Sequence, residues 1–220
     1  LKKRAFSLIE LAVATLILSM ALLLCFVLFQ WGTRAAIQGQ MRAGIQGEGR
    51  RILLGIRNEL MRSDFSTLET LSRTSPNAEG QPVPRCALSS ATLSNWSDAA
   101  CFDSDSALPL WNRYMVIYAT RSNPGLLIKQ LYAPPGAPYA GPMGNLAGLV
   151  NDDPGTNANA IQRFTLGQNI ESFQVVSDED SKSVHLDIML AARGGRKGES
   201  GKLNERHQLK FDVRLENSGP

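Results

Sequence analysis

The chain predicts an α+β fold, a long N-terminal helix laid against an antiparallel β-sheet, and three observations predict it. An apolar run from Leu11 to Phe29 leads into a proline-free stretch that reaches Leu71. Beyond residue 112, six runs are rich in β-branched and aromatic residues, and two of them alternate strictly between apolar and polar. Clusters of Pro, Gly and Asn separate these runs.

The first element is a membrane-spanning helix. Leu11 to Phe29 makes a helix about 28 Å long at about 1.5 Å per residue, close to the hydrocarbon thickness of a bilayer. Lys2, Lys3 and Arg4 precede it, so the positive-inside rule leaves the first residues in the cytoplasm and sends the chain after Trp31 across. The apolar core is longer than that of a secretory signal. Gln30-Trp31-Gly32-Thr33 also lacks a small-x-small cleavage pattern, so the segment is expected to stay. One carboxylate, Glu10, stands at its start. A carboxylate in hydrocarbon costs about 2.5 to 3.5 kcal/mol on insertion scales, which calls for a neutralising partner. The alternative is a glutamate near the interface that snorkels to water.

The basic leader, the small residue Ala5, the motif Phe6-Ser7-Leu8-Ile9-Glu10-Leu11 and the apolar helix together resemble the class III signal of type IV pilins and of type II secretion pseudopilins. The resemblance implies cleavage by a prepilin peptidase between Ala5 and Phe6, and N-methylation of Phe6. It makes Glu10 the acid at the fifth mature position. Ala5 departs from the glycine usual before the cut. The implied organisation is a cleaved leader over 1–5, the transmembrane half of the helix over 6–31, its exported amphipathic half over 32–74, and a periplasmic β-sheet domain over 75–220, in a type IV pilin-like fold. The implied location is the inner membrane, single-pass with the N-terminus in the cytoplasm, and the pilus or pseudopilus after assembly. In a bundle of such helices, Glu10 of one subunit meets the amine of a neighbour, which satisfies two charges that lipid penalises.

A more diffuse resemblance concerns Arg50 to Leu60, the large soluble domain and the closing Val213-Arg214-Leu215-Glu216-Asn217, which are similar to the J-type minor pseudopilin and the W-type minor pilin. It implies a structural subunit, not an enzyme, in a tip complex that primes assembly. The partners would be other pilin or pseudopilin subunits, the prepilin peptidase, the inner-membrane assembly platform and the membrane, with no specific nucleic acid. A second class of function is an anchored, exported ligand-binding protein or enzyme that uses the signal only as an address.

Composition fits both classes. The net charge is +3, but the leader holds three of the 23 Lys and Arg residues, so the mature form balances 20 basic against 20 acidic groups. A general nucleic-acid surface is therefore not expected, a local patch from Arg193 to Lys202 aside. Of the three cysteines, Cys25 lies in the span as a small apolar side chain. Cys86 and Cys101 fall in the exported part, where an oxidising compartment favours a disulfide. Closing that loop would stabilise by roughly 3 kcal/mol in the chain-entropy model. Two unpaired thiols or a two-ligand metal fragment are the alternatives.

After the span, Met41, Ile45, Ile52, Ile56 and Leu60 recur at spacings of four and seven, which predicts an amphipathic helix over Thr33 to about Leu71, ending before Ser75-Pro76. Its glycines, Gly32, Gly39, Gly44, Gly47, Gly49 and Gly55, each cost up to about 1 kcal/mol relative to alanine. They permit either close helix approach or a hinge. Pro76 to Leu110 reads as an irregular loop. Strands are predicted over Arg113 to Thr120 and Leu126 to Tyr132, joined by Ser122-Asn123-Pro124-Gly125 as a hairpin turn. A second long loop covers Ala133 to Thr156. Four more strands are predicted over Ile161 to Leu166, Ile170 to Ser177, Val184 to Ala192 and Gln208 to Leu215.

Signs of chemistry are few. His185 and His207 fall in predicted strands without ligands at zinc spacing. Gly194 to Leu203 imitates a phosphate loop, but Arg196 occupies the first glycine position and Leu203 the magnesium-binding hydroxyl position, so it reads as a hairpin tip. Asp152-Asp153 and Asp178-Glu179-Asp180 offer oxygens of the kind calcium uses, yet adjacent acids without EF-hand spacing read as solvated turns. No metal, no cofactor and no catalytic residue is expected.

Overall fold

The computed structural model describes residues 8–194 and 203–215. A single helix, α1 (Leu8–Met61), opens the chain. The chain divides into two compact units, Leu1–Ala43 and Gly44–Pro220. The first is helix alone among its described residues, and every side chain from Leu8 to Gln40 is exposed. The second combines the last turns of α1 with the sheet.

In the second unit, Ile45, Gly49, Ile52, Ile56 and Leu60 form the buried stripe of α1. Spacings of three and four put them on one face. Ile45, Ile52, Ile56 and Leu60 of the expected apolar stripe face the core, with Ile52, Ile56 and Leu60 0% exposed, whereas Met41 is only half-buried. The helix stops at Met61, well short of the expected Leu71. Ser63 is the reason: its backbone N bonds Leu60 O at 3.0 Å and its Oγ donates to Glu59 O at 2.9 Å. Asp64 then accepts from Ser66 N at 3.0 Å and starts a short turn, Phe65–Thr67. Ser and Asp compete with the helix for backbone groups in this way.

The strands are β1 (Glu69–Leu71), β2 (Thr74–Pro76), β3 (Pro82–Pro84), β4 (Ala87–Thr92), β5 (Arg113–Ala119), β6 (Gly125–Tyr132), β7 (Gln162–Asp178), β8 (Ser183–Gly194) and β9 (Leu203–Arg214). Seven form one sheet in the order β1-β4-β5-β6-β7-β8-β9, antiparallel at every pairing, while β2 and β3 pair separately. The β5–β6 hairpin forms around the predicted turn, with Ala119 opposite Leu127. Between β8 and β9 the register closes on Gly194 opposite Leu203, and the tip between them lies outside the described residues.

Two sequence expectations change here. Ile161 to Leu166 and Ile170 to Ser177 are not separate strands but parts of the 17-residue β7. The break in their pattern is a bulge: Leu127 faces Gly167 but Ile128 faces Thr165, and Asn169 has φ +57°. A bulge bends a strand while keeping it in the ladder. The first half of β7 pairs with β6 and the second with β8, so the sheet curls. Cys86 N donates to Phe173 O at 2.8 Å across that curl. The second change is that residues 69–92 are not helix end and irregular loop but contain β1 to β4. β4, Ala-Leu-Ser-Ser-Ala-Thr, is buried at all six positions. A strand covered on both faces has no alternation, and small residues give little strand signal of their own.

Both faces of this part of the sheet are covered. One face carries α1, over a core that includes Leu88, Ile117, Leu127, Phe173, Ile188 and Val213. The other carries loops, with Trp111, Tyr114, Tyr118, Tyr132, Leu146 and Leu149 packed beneath them. The long loop after β6 contributes a one-turn helix, α2 (Leu146–Leu149), whose two leucines are buried.

The helix seats closely on the bulge. A Cβ built on Gly167 would overlap Ile52 Cδ1. Gly49 likewise admits Leu209, whose Cδ1 lies 2.8 Å from a Cβ built there. Gly167→Ala is expected to lower stability by about 1–3 kcal/mol through overpacking. Ile52→Val in the same chain should recover part of the loss, as a double-mutant cycle by denaturant unfolding in detergent would show.

Burial also raises the pKa of all four tyrosines, Tyr114, Tyr118, Tyr132 and Tyr139, that of Tyr132 to about 12. A phenol that ionises near pH 10 when unfolded but later when folded adds stability below about pH 10, and that stability falls as pH rises toward 12. In an alkaline titration, phenolate absorbance is expected to appear late and together with loss of near-UV circular dichroism. Four tyrosines ionising near pH 10 in an intact fold would contradict this packing.

Candidate membrane helix and polar centres

The apolar first unit of α1 is long and apolar enough to cross a membrane. Between Leu8 and Trp31 its charged residue is Glu10, which sits in the first helical turn, where a negative charge also complements the helix dipole. The hydroxyls in and just after this stretch do not interrupt it. Thr15 Oγ1 donates to Ala12 O, Ser19 Oγ to Thr15 O, and Thr33 Oγ1 to Phe29 O, each within 2.8–2.9 Å. Polar groups satisfied by their own helix are compatible with lipid. Cys25 is exposed on the same helix. Ala5 and Phe6, the expected cleavage and methylation positions, lie outside the described residues, as do Glu216 and Asn217.

The expected disulfide is not formed. Cys86 and Cys101 are both buried free thiols. Cys86 shares the core beneath α1, whereas Cys101 belongs to the core beneath the loops. Side chains alternate across a strand, and Cys86 enters β4 in phase with Leu88, not with Ala87, so the sheet separates the two sulfurs. Cys101 Sγ instead accepts a hydrogen bond from Asn112 Nδ2 at 3.4 Å and lies 3.7 Å from Ser94 Oγ.

The acidic groups of the second unit are engaged locally. Asp152 Oδ1 accepts from Arg73 Nη2 at 3.1 Å and from Arg121 N at 2.8 Å. Asp153 accepts from Gly155 N at 3.0 Å. Asp178 accepts from Ser181 Oγ at 2.7 Å and from Asp180 N at 3.1 Å, and these bonds, the serine's first, hold its pKa below the usual carboxylate range. His185 pairs through Nδ1 with Asp212 on the exposed face, while His207 lies half-buried on β9. Among the described residues, no three His, Cys, Asp or Glu side chains are grouped to hold a metal ion.

A buried ionic centre was not legible in the sequence. Arg85 is 0% exposed, and its Nη1 donates to Thr120 O at 3.2 Å. Burial lowers its pKa, and the nearby Glu171 carboxylate opposes that shift. Glu171 Oε1 accepts from Arg206 Nη2 at 2.8 Å and from Asn77 Nδ2 at 3.4 Å. Three distant parts of the chain, the β2–β3 turn, β7 and β9, thereby meet at one carboxylate. The centre ties these elements of the fold together. The only sequence trace was the charge of Arg85, Glu171 and Arg206.

Comparison with protein-family models, with curated proteins and with solved structures finds no significant match. The chemistry of the chain therefore rests on its own residues. With Cys86 and Cys101 apart, alkylation of the denatured, unreduced protein is expected to label three thiols. A count of one would show that the two pair in the protein.

Proposed function

We propose that this chain is a minor pilin or pseudopilin, a structural subunit built into a type IV pilus or type II secretion pseudopilus at or near its tip, where it helps initiate assembly. The observation that carries the reading is Glu10, a carboxylate in the first turn of the exposed, apolar part of α1, directly within Phe6-Ser7-Leu8-Ile9-Glu10-Leu11. Such a helix is costly alone and less costly among copies of its kind, because a neighbour's terminal amine neutralises the acid. The α+β architecture, with the later turns of α1 packed on an antiparallel sheet, supports a type IV pilin-like fold.

The proposed path begins with insertion in the inner membrane, N-terminus inward. The prepilin peptidase cuts between Ala5 and Phe6 and methylates Phe6. Extraction by the assembly platform then moves Glu10 from lipid to a bundle of subunit helices. Intact mass and N-terminal sequencing of membrane-extracted protein, with and without a prepilin peptidase, test this directly. The expected result is a peptidase-dependent chain beginning with methylated Phe6. An unprocessed chain, or one cut near Trp31, would refute the reading. Glu10→Ala is expected to leave processing intact and to reduce incorporation into sheared filaments by about tenfold or more, in line with the few kcal/mol that a neighbour's amine would cost in lipid once its acid is removed.

A further inference from the structure

The charges on the second-unit part of α1 are sorted by sign. Glu48 turns toward the sheet, where it accepts from Gln168 N and, at 3.4 Å, from Asn169 Nδ2. Glu59 pairs with Lys129 Nζ. Both acids are thus engaged within the fold. Arg50, Arg51 and Arg57 are exposed, and their guanidinium groups have no ion pair or hydrogen bond among the described residues.

These arginines surround an apolar residue. At about 100° per residue, Leu54 lies roughly 160° round α1 from the middle of the buried stripe, with Arg50 and Arg57 on one flank and Arg51 on the other. Leu54 is 54% exposed. Gly47, seven residues earlier, offers no side chain, and a Cβ built there would meet nothing within 4 Å. A seven-residue step keeps two positions on the same seam of a helix pair. A lone exposed leucine is ordinary. A leucine set among three uncompensated guanidinium groups, on a seam with an open glycine, has the anatomy of a contact: an apolar anchor with arginines around it.

We infer that this face of α1 docks a helix of a different protein, one that carries carboxylates on either side of a small or apolar seat. Guanidinium forks match carboxylates in bidentate pairs, and their apolar stems extend the surface that Leu54 would bury. A second copy of this chain does not fit the same face. Between Gly47 and Met61 the two acidic residues both point inward, so two copies laid face to face would set arginine against arginine. A bilayer would attract the arginines but has no use for a knob centred among them. The inference stands on this face alone and does not depend on the proposed function.

The test is a photo-crosslinking amino acid at position 54 of the full chain, expressed in its native membranes, with adducts mapped by mass spectrometry. The expected adduct joins a helix of another protein with two or more Asp or Glu within four residues of the crosslinked site. Its yield should fall by at least about tenfold in a variant carrying Arg50→Glu, Arg51→Glu and Arg57→Glu, as expected for reversing several complementary charges. Changing the partner's mapped acids to lysine should restore it. The three arginines are exposed, so the thermal midpoint of that variant should match the parent. If it does not, the single variants Arg51→Glu and Arg57→Glu make the same comparison, with a smaller loss expected. Adducts only to lipid, only to a second copy, to a helix without acids, or to no protein at all would overturn the proposal. So would a yield indifferent to charge reversal.

Discussion

Burial of one helical stripe, Ile45, Gly49, Ile52, Ile56 and Leu60, against a curled sheet is the contact on which the second unit depends. The stripe is narrow, with two glycine contacts that bring backbone and side chain unusually close: Gly49 beneath Leu209 and Gly167 beneath Ile52. The bulge in β7 that presents Gly167 is held by Glu48 of the helix itself. Helix seating and strand bending are therefore one interaction seen from two sides. Lys129 and Glu59 add a charge pair at the flank of the same contact.

How much of this was legible in the sequence follows from which physical signals are local. Alternation in Val184 to Leu190 and Leu209 to Leu215 reads directly as β8 and β9, since each has one face on the core. The Pro-Gly turn reads as the β5–β6 hairpin. β4 was illegible because burial on both faces erases alternation and its residues are small. The merging of two predicted strands into β7 was hidden by Gly167-Gln168-Asn169, which looks like a turn and is a bulge supported from a helix 120 residues away. Cys86 and Cys101 looked like a pair because their spacing is short, whereas which face of a sheet each occupies is decided by strands the sequence does not announce. Glu10 was plain from the first reading, because a charge in an apolar run needs no tertiary context to stand out.

One helix thus meets two environments with a single backbone. From Leu8 to Gln40 its side chains are exposed all round and mostly apolar, up to the polar turns after Phe29, whereas from Gly44 it has an inside and an outside. The change is made by composition alone, with arginines and glutamates entering as the apolar stripe narrows. Inside, the acids are used by the sheet. Outside, the arginines are left to solvent or to another chain.

The meander order of the sheet carries a consequence for the sequence of events in folding. Most strand pairs join neighbours along the chain, so closing them costs less entropy than bringing α1 to β7. Glu48 and Gln168, and likewise Ile52 and Gly167, are separated by well over 100 residues, and the entropy of closing that loop is recovered only when both partners are in place. Until β7 is in place, the apolar stripe of α1 lacks its cover. The later turns of α1 are thus seated only when β7 is in place, and until then the chain is open to capture by a chaperone or by a neighbouring helix.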